Sequence, residues 1–453
     1  MASELSLIYP TIDLFLYDLR DGLGDSQEAI DRKRETFWRR LPNGDRALVE
    51  KEEEKEGSFI ELLPKKYQPL PDNKNGFYYP VKLNDTLALQ IDYSANLQGS
   101  TQPCKIKTLA ENKKFIISDR QGKPGTLGET WLIWGQLAEI DQNLEETAKQ
   151  CYAVFSNEPW QSDLNNRSQF KQAELFEISP FSTPSLNSHP FNHIVICLFP
   201  ANCSPQEVKT TIQTLYRELI KFFSYYHKIH WIYNQSSHVK KDLKNASRQI
   251  QETVKNLPDR VLQKSVDLQK LQQNLTSTLT LFSVYASSLS TLEEYKYAIA
   301  VNLDNYDKSL QRLNLTNPGK TSSLFEPFRD YAREKYQPQI TTDYNSASAS
   351  LTLLENTIKT IEGIIQLEQT KRDRHLNKTI FVVSAGIGTA SASASSVANF
   401  AEDIMMNIHP PQQQPLTTGY LLQIYLFALL LSLFVGFISS VIMGLLMQFP
   451  WRK

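Results

Sequence analysis

Tyr420–Met447 is a run without a single charged side chain, dominated by Leu, Ile, Phe and Val. Crossing a bilayer takes about 20 predominantly apolar residues, and only a helix or a closed barrel satisfies its backbone polar groups there. This run meets both demands as one helix. A second uncharged stretch, Thr379–Phe400, has similar reach but a different character. Its Ser, Thr, Gly and Ala make it too polar to face lipid all round. An apolar helix beside a Ser- and Ala-rich one implies an outer helix shielding an inner one that faces water or a close partner. A buried or re-entrant helix is the competing reading of Thr379–Phe400.

The charge map sets the orientation. Lys371-Arg372-Asp373-Arg374-His375 and Lys378 stop just before the first stretch, and the next basic residue is Arg452. The loop between the stretches has no Lys or Arg and carries Glu402 and Asp403. The positive-inside rule then places both termini in the cytoplasm of an inner- or plasma-membrane protein, with the loop outside. Lys371, Arg372 and Arg374 serve either as such an anchor or as a basic collar at the cytoplasmic mouth of a pore. Met1-Ala-Ser-Glu-Leu-Ser lacks the basic and apolar regions of a cleavable signal, in line with a cytoplasmic N-terminus.

The chain before Lys378 has the composition of soluble domains. With 48 Lys and Arg against 49 Asp and Glu, and no basic stripe interleaved with aromatics, a nucleic-acid partner is not expected. Cys104, Cys151, Cys197 and Cys203 lack metal-ligand spacing and read as free thiols in a reducing compartment. Short aromatic and β-branched runs bounded by turn residues mark strands at Ser58–Leu63, Gly76–Leu83, Thr86–Tyr93, Lys114–Ser118 and Thr130–Trp134. His193–Phe199 is apolar throughout, as in a central strand covered on both faces. Arg20–Lys55 and Asn143–Val154 read as helical.

After Pro205 the pattern becomes helical. Val239, Leu243, Ala246, Ile250, Val254, Leu257 and Val261 recur at heptad steps, as do Leu268, Leu271, Leu275, Leu279 and Phe282. Leu351, Leu354, Ile358, Ile361 and Ile365 resume the seam, and no proline interrupts residues 339–408. One helix from Ile340 to Asp403 would be on the order of 100 Å long. The expected class is α+β: a cytoplasmic α/β domain (1–203), a helical layer (204–338) and a coiled-coil stalk helix (339–378). An inner span (379–403), an external loop (404–418) and an outer span (419–448) follow.

Read as a helix, the inner span places Ser384, Gly388, Ser391, Ser395, Asn399, Glu402 and Met406 on one face. Repeated around an oligomer axis, this stripe would line a pore ending in rings of Glu402 and Asp403, which attract cations. Ala390, Ala394 and Ala398 offer the alternative of close small-residue packing. An α/β domain, a helical layer, a long stalk and two C-terminal spans resemble the layout of the CorA-like divalent-cation transporters. That family ends its first span with Gly-Met-Asn, where this chain reads Met405-Met406-Asn407, and a basic tail follows, here Trp451-Arg452-Lys453. The resemblance implies a homopentamer whose Asn407 ring, with Glu402 and Asp403 nearby, holds a hydrated Mg²⁺ or another divalent cation at the outer entrance. Mg²⁺ suits such a site because it gives up its waters reluctantly. Met405 in place of the glycine alters the turn on which Mg²⁺ selectivity rests.

Elsewhere, His227 and His230 form an HxxH pair that lacks a third ligand and reads as part of an aromatic packing face. Pro318-Gly-Lys-Thr321 resembles a phosphate-loop ending, but Asn314 stands where its first glycine belongs. No grouping for nucleophilic catalysis occurs, so the expectation is a non-enzyme without a resident cofactor. Two further readings stay open: a membrane-tethered signalling or defence effector, and a coiled-coil scaffold with a hairpin anchor and no pore.

Overall fold

The structure, a computed structural model, describes residues 5–22, 24–41, 55–72, 74–95, 101–119, 124–156, 160, 165–179, 192–255, 268–316, 324–372, 401, 404, 406–407 and 418–446. The fold is mixed α+β, and the chain divides into two compact units. One comprises Met1–Leu243 and Ser288–Ala347, and the other Lys244–Ser287 and Ser348–Lys453.

The first unit is built on one sheet. Its strands are β1 (Ser6–Leu19), β2 (Ile60–Glu61), β3 (Gln68–Pro69), β4 (Gly76–Leu83), β5 (Thr86–Ser94), β6 (Cys104–Lys105), β7 (Gly128–Leu137), β8 (Asn165–Phe170), β9 (Ala173–Ile178) and β10 (Asn192–Phe199). They run in the order β2-β4-β5-β1-β7-β10-β9-β8, with β3 on β4 and β6 on β1. Only β7 and β10 pair in parallel among these strands. At Tyr9 the backbone turns left-handed (φ 56°), and the β1–β7 register slips between Ile8 and Thr11. That is a bulge, and it re-aims the rest of β1.

Side chains alternate across a strand with period two, and β1 is buried on both faces from Pro10 to Asp18. Ile12, Leu14 and Leu16 join Leu89, Ile91, Ile133, Ile194 and Ile196 in one apolar core. Three helices close that core: α1 (Gln27–Trp38), α2 (Thr108–Asp119) and α3 (Leu144–Ser156). They contribute Phe37, Leu109, Ile116, Cys151 and Phe155. The Lys114–Ser118 run, expected as a strand, is therefore the last turns of α2. Its apolar residues belong to a longer helical spacing, in which Leu109, Asn112 and Ile116 are the buried positions. His193–Phe199 is β10, an internal strand buried on both faces, as its composition implied.

The opposite sheet face, which carries Asp13, Phe15 and Tyr17, lies under α4 (Pro205–Lys255). Phe15 meets Phe223 edge-on at 5.5 Å, and the Tyr17 hydroxyl donates to the Ile220 carbonyl at 2.9 Å. Two more helices pack on α4 within this unit. In α5 (Leu268–Leu315) Tyr306 and Tyr295 meet Phe222 and Trp231, so the two helices run antiparallel. The third element starts as α6 (Glu326–Tyr331), widens into a π-turn (Ala332–Tyr336) and continues as α7 (Gln337–Arg372). Phe328 meets Tyr226, Tyr336 stacks on Tyr233 at 3.9 Å, and Asp343 pairs with Lys240, so it runs parallel to α4. Pro338 explains the widened turn: it has no N–H to donate, and its ring crowds the carbonyl four residues back.

The second unit takes up the remaining parts of α4, α5 and α7 and adds α8 (Thr418–Leu446). Its buried apolar positions on α7 are Leu354, Ile358, Ile361 and Ile365, four of the five heptad positions expected from sequence; the fifth, Leu351, is half-buried. On α5 Leu271 and Leu275 are buried likewise. Among the described residues no helix is long and apolar enough to cross a membrane, and several side chains of α8 lie outside the description.

Candidate functional site

Two polar clusters sit between the sheet and α4, where an apolar interface would be the ordinary solution. The first is built on register. Asp13 of β1 and Asp92 of β5 are directly paired, and both point toward α4. Tyr216, one turn before Ile220, reaches down from α4 to meet them. Its oxygen lies 2.8 Å from Asp13 Oδ2 and 2.8 Å from Asp92 Oδ2, and accepts the Trp134 indole N–H at 2.8 Å. Gln90 Nε2 donates to Asp13 Oδ1 at 2.9 Å. Burial pushes Asp13 well above the usual carboxylate range, and the Asp92 charge adds to the effect. Burial likewise raises Asp92 to about 6.

The second cluster is a chain of hydrogen bonds through fully buried groups. Glu177 Oε1 lies 3.0 Å from His193 Nε2, and His193 Nδ1 lies 2.8 Å from Thr130 Oγ1. That hydroxyl also lies 2.7 Å from His227 Nε2. Because the carboxylate only accepts, His193 Nε2 carries a hydrogen. Thr130 has one hydrogen, so it donates to one imidazole and accepts from the other. In one such arrangement Thr130 donates to His193 Nδ1 and His227 Nε2–H donates to Thr130. Burial depresses His227 well below the usual imidazole range, and His193 and His230 add to that effect.

Gly128 is the backbone condition for this chain. Its φ of +151° is one that side chains rarely adopt, and a Cβ there would stand 2.3 Å from His227 Nδ1. Gly128→Ala is expected to destabilise the first unit by about 1–3 kcal/mol through overpacking, read as a lower midpoint in urea. An unchanged midpoint would show that the imidazole yields freely.

His230, the other member of the HxxH pair, stacks on Phe328 at 4.8 Å and lies 3.4 Å from the Tyr336 hydroxyl. Burial lowers it to about 3, so it is neutral. The pair belongs to an aromatic packing face. Among the described residues no group of three or more His, Cys, Asp or Glu is placed to hold a metal ion. Burial also pushes the Cys151 thiol up to about 12, far from an activated nucleophile.

Neither polar cluster was singled out from sequence. The available signal was a polar residue recurring inside otherwise apolar strands: Asp13 in Thr11–Leu16, Asp92 after Leu89-Gln90-Ile91, and His193 before Ile194–Phe199. Strand alternation alone gives such residues a solvent face. The long helix that covers this face reverses that expectation.

Of the residues expected to line a pore or bind a cation, Met406 and Asn407 lie in a short helical stretch, and both are exposed. Ser384, Gly388, Ser391, Ser395, Asn399, Glu402, Asp403, Met405 and Arg374 lie outside the described residues. Lys371 and Arg372 are the last two residues of α7. Nearby, Ala401 is fully buried and packs with Ala428, Phe427 and Leu431 of α8. The opposite side of α8 exposes Leu426, Leu430, Phe434, Phe437, Ile438, Val441 and Ile442. No family model, curated protein or solved structure matches the chain.

Proposed function

We propose that the chain is an oligomeric membrane protein that conducts or gates divalent cations under the control of its cytoplasmic N-terminal unit, in the manner of the CorA-like transporters it resembles. The observation that carries the reading is the exposed stripe of α8. Leu426, Leu430, Phe434, Phe437 and Val441 stand at steps of three and four on one side of the helix. Soluble proteins rarely leave so large a contiguous apolar surface in water. Over its full length α8 carries 29 residues with no charge, about 44 Å at 1.5 Å per residue, a length greater than the roughly 30 Å of a hydrocarbon core.

Its other side supports a hairpin. Ala428 and Ser432, four residues apart, are buried, and Ala401 packs on Ala428. Small residues at this spacing let membrane helices approach closely. Ala401 is the residue before the Glu402-Asp403 pair, at the end of the inner span in this reading. The stripe Ser384, Gly388, Ser391, Ser395, Asn399, Glu402 and Met406 would then line the path. Asn407 would hold a hydrated cation through its amide oxygens, beside Glu402 and Asp403. Lys371, Arg372 and Arg374 would anchor the cytoplasmic end.

The mass of the detergent-solubilised particle tests this reading. A pentamer, five times 51.9 kDa, supports it. A monomer or dimer overturns it in favour of a tethered effector or a scaffold without a pore.

A further inference from the structure

The contacts of Tyr216 can be counted proton by proton. A tyrosine hydroxyl has one hydrogen and two lone pairs. Trp134 Nε1–H, at 2.8 Å, occupies one lone pair. The hydroxyl hydrogen serves one of the two carboxyls at 2.8 Å. If both carboxyls were ionised, the other would face the remaining lone pair across 2.8 Å, a repulsive contact. A single added proton on the pair satisfies every group: Trp134 donates to Tyr216, Tyr216 to one carboxylate, and the protonated carboxyl to the remaining lone pair of Tyr216.

The surroundings offer no substitute for that proton. On β5, Gln90 donates to Asp13 Oδ1. On β4 the residue paired with Asp92 is Phe77, and on β7 the residue paired with Asp13 is Leu132. On β7 Trp134 and on α4 Tyr216 are the polar groups in contact. None of these is a cation, and the two carboxyls are the only titratable pair among them apart from the phenol, whose own ionisation burial and both aspartates oppose.

We propose that Asp13, Asp92 and Tyr216 form a proton-operated latch, which fastens the first turns of α4 to the β1–β5 part of the sheet while the carboxyl pair holds a proton and loosens when both carboxyls ionise. The pair, rather than either residue, owns the proton. The latch stands independently of the membrane reading, because it lies wholly within the first unit. It would act on a helix that continues to Lys255, beyond that unit's limit at Leu243.

The direction of the pH response follows from linkage. Burial raises Asp92 from 3.8 to about 6, so the closed state binds more protons than the open one between these values. Its contribution is fully present in acid, below about pH 4, and is lost as pH rises through about 6. With these two values, Asp92 alone makes opening about tenfold easier at pH 8 than at pH 5. Asp13, raised further, acts in the same direction.

Hydrogen–deuterium exchange on the full chain in detergent reads this directly. Peptides covering Pro205–Trp231 are compared at pH 5 and pH 8 after correction for intrinsic exchange. The latch predicts about tenfold less protection at pH 8. Asp92→Asn and Asp13→Asn each supply a permanent donor to the Tyr216 oxygen, whose own hydrogen serves the remaining carboxylate, so in either variant the ratio falls toward one. Equal protection of the unsubstituted protein at the two pH values overturns the proposal. So does an undiminished ratio in whichever variant folds.

Discussion

Replacing His193 with phenylalanine should lower the stability of the first unit by about 3–5 kcal/mol, although the ring is retained. Phenylalanine preserves the stack on Tyr226, at 4.2 Å, and the edge contact with Phe223. What it removes is the His193 donor to Glu177, whose side chain is fully buried, and one of the two partners of the Thr130 hydroxyl. Taking one member from a buried pair leaves the other's desolvation less fully compensated, which outweighs the pair's own net contribution. The companion double variant Glu177→Leu with His193→Phe should therefore recover most of the loss. Urea unfolding followed through tryptophan fluorescence measures both. A loss below about 1 kcal/mol in the single variant would show that the chain of hydrogen bonds is ornamental to stability.

The second large effect concerns α8. Leu430→Arg with Phe434→Arg places two guanidinium groups near the middle of the helix, on its exposed stripe. At a membrane helix centre each arginine costs about 2.5–3.5 kcal/mol on insertion scales. The double variant is expected to lose membrane integration, seen as movement of the protein from carbonate-washed membranes to the soluble or aggregated fraction. On a water-facing helix the same substitutions at positions 57% and 60% exposed would change stability by no more than about 0.5 kcal/mol. Wild-type distribution of the arginine variant would thus sink the span.

The parts of the fold legible in the sequence were those governed by a single period. The heptad positions Leu354, Ile358, Ile361 and Ile365 are buried because a helix repeats its contacts every three to four residues wherever its partners lie. β10 was legible because an apolar strand of that length has no face to spare for water. Lys114–Ser118 misled because a short apolar run is common to both structures, and its helical spacing emerges only when Leu109 and Asn112 are included. The polar clusters depended on contacts far apart in sequence. Tyr216 meets Asp13 across 203 positions, and Thr130 meets His227 across 97. No local pattern reports such pairings. His227 and His230 were read correctly as packing residues, while the carboxylate–histidine chain that one of them completes was not.

The proposed latch acts on α4, which continues to Lys255, in a chain that we propose conducts cations. The central claim is conduction, and it is tested by loading vesicles with a divalent-cation indicator and reconstituting the full chain. Protein-dependent entry of Mg²⁺ or another divalent cation is expected, with altered ion preference in Asn407→Ala, where the amide oxygen proposed to hold the hydrated ion is gone. Vesicles that contain the correctly inserted oligomer yet stay as tight as protein-free ones, at both pH 5 and pH 8, would contradict it.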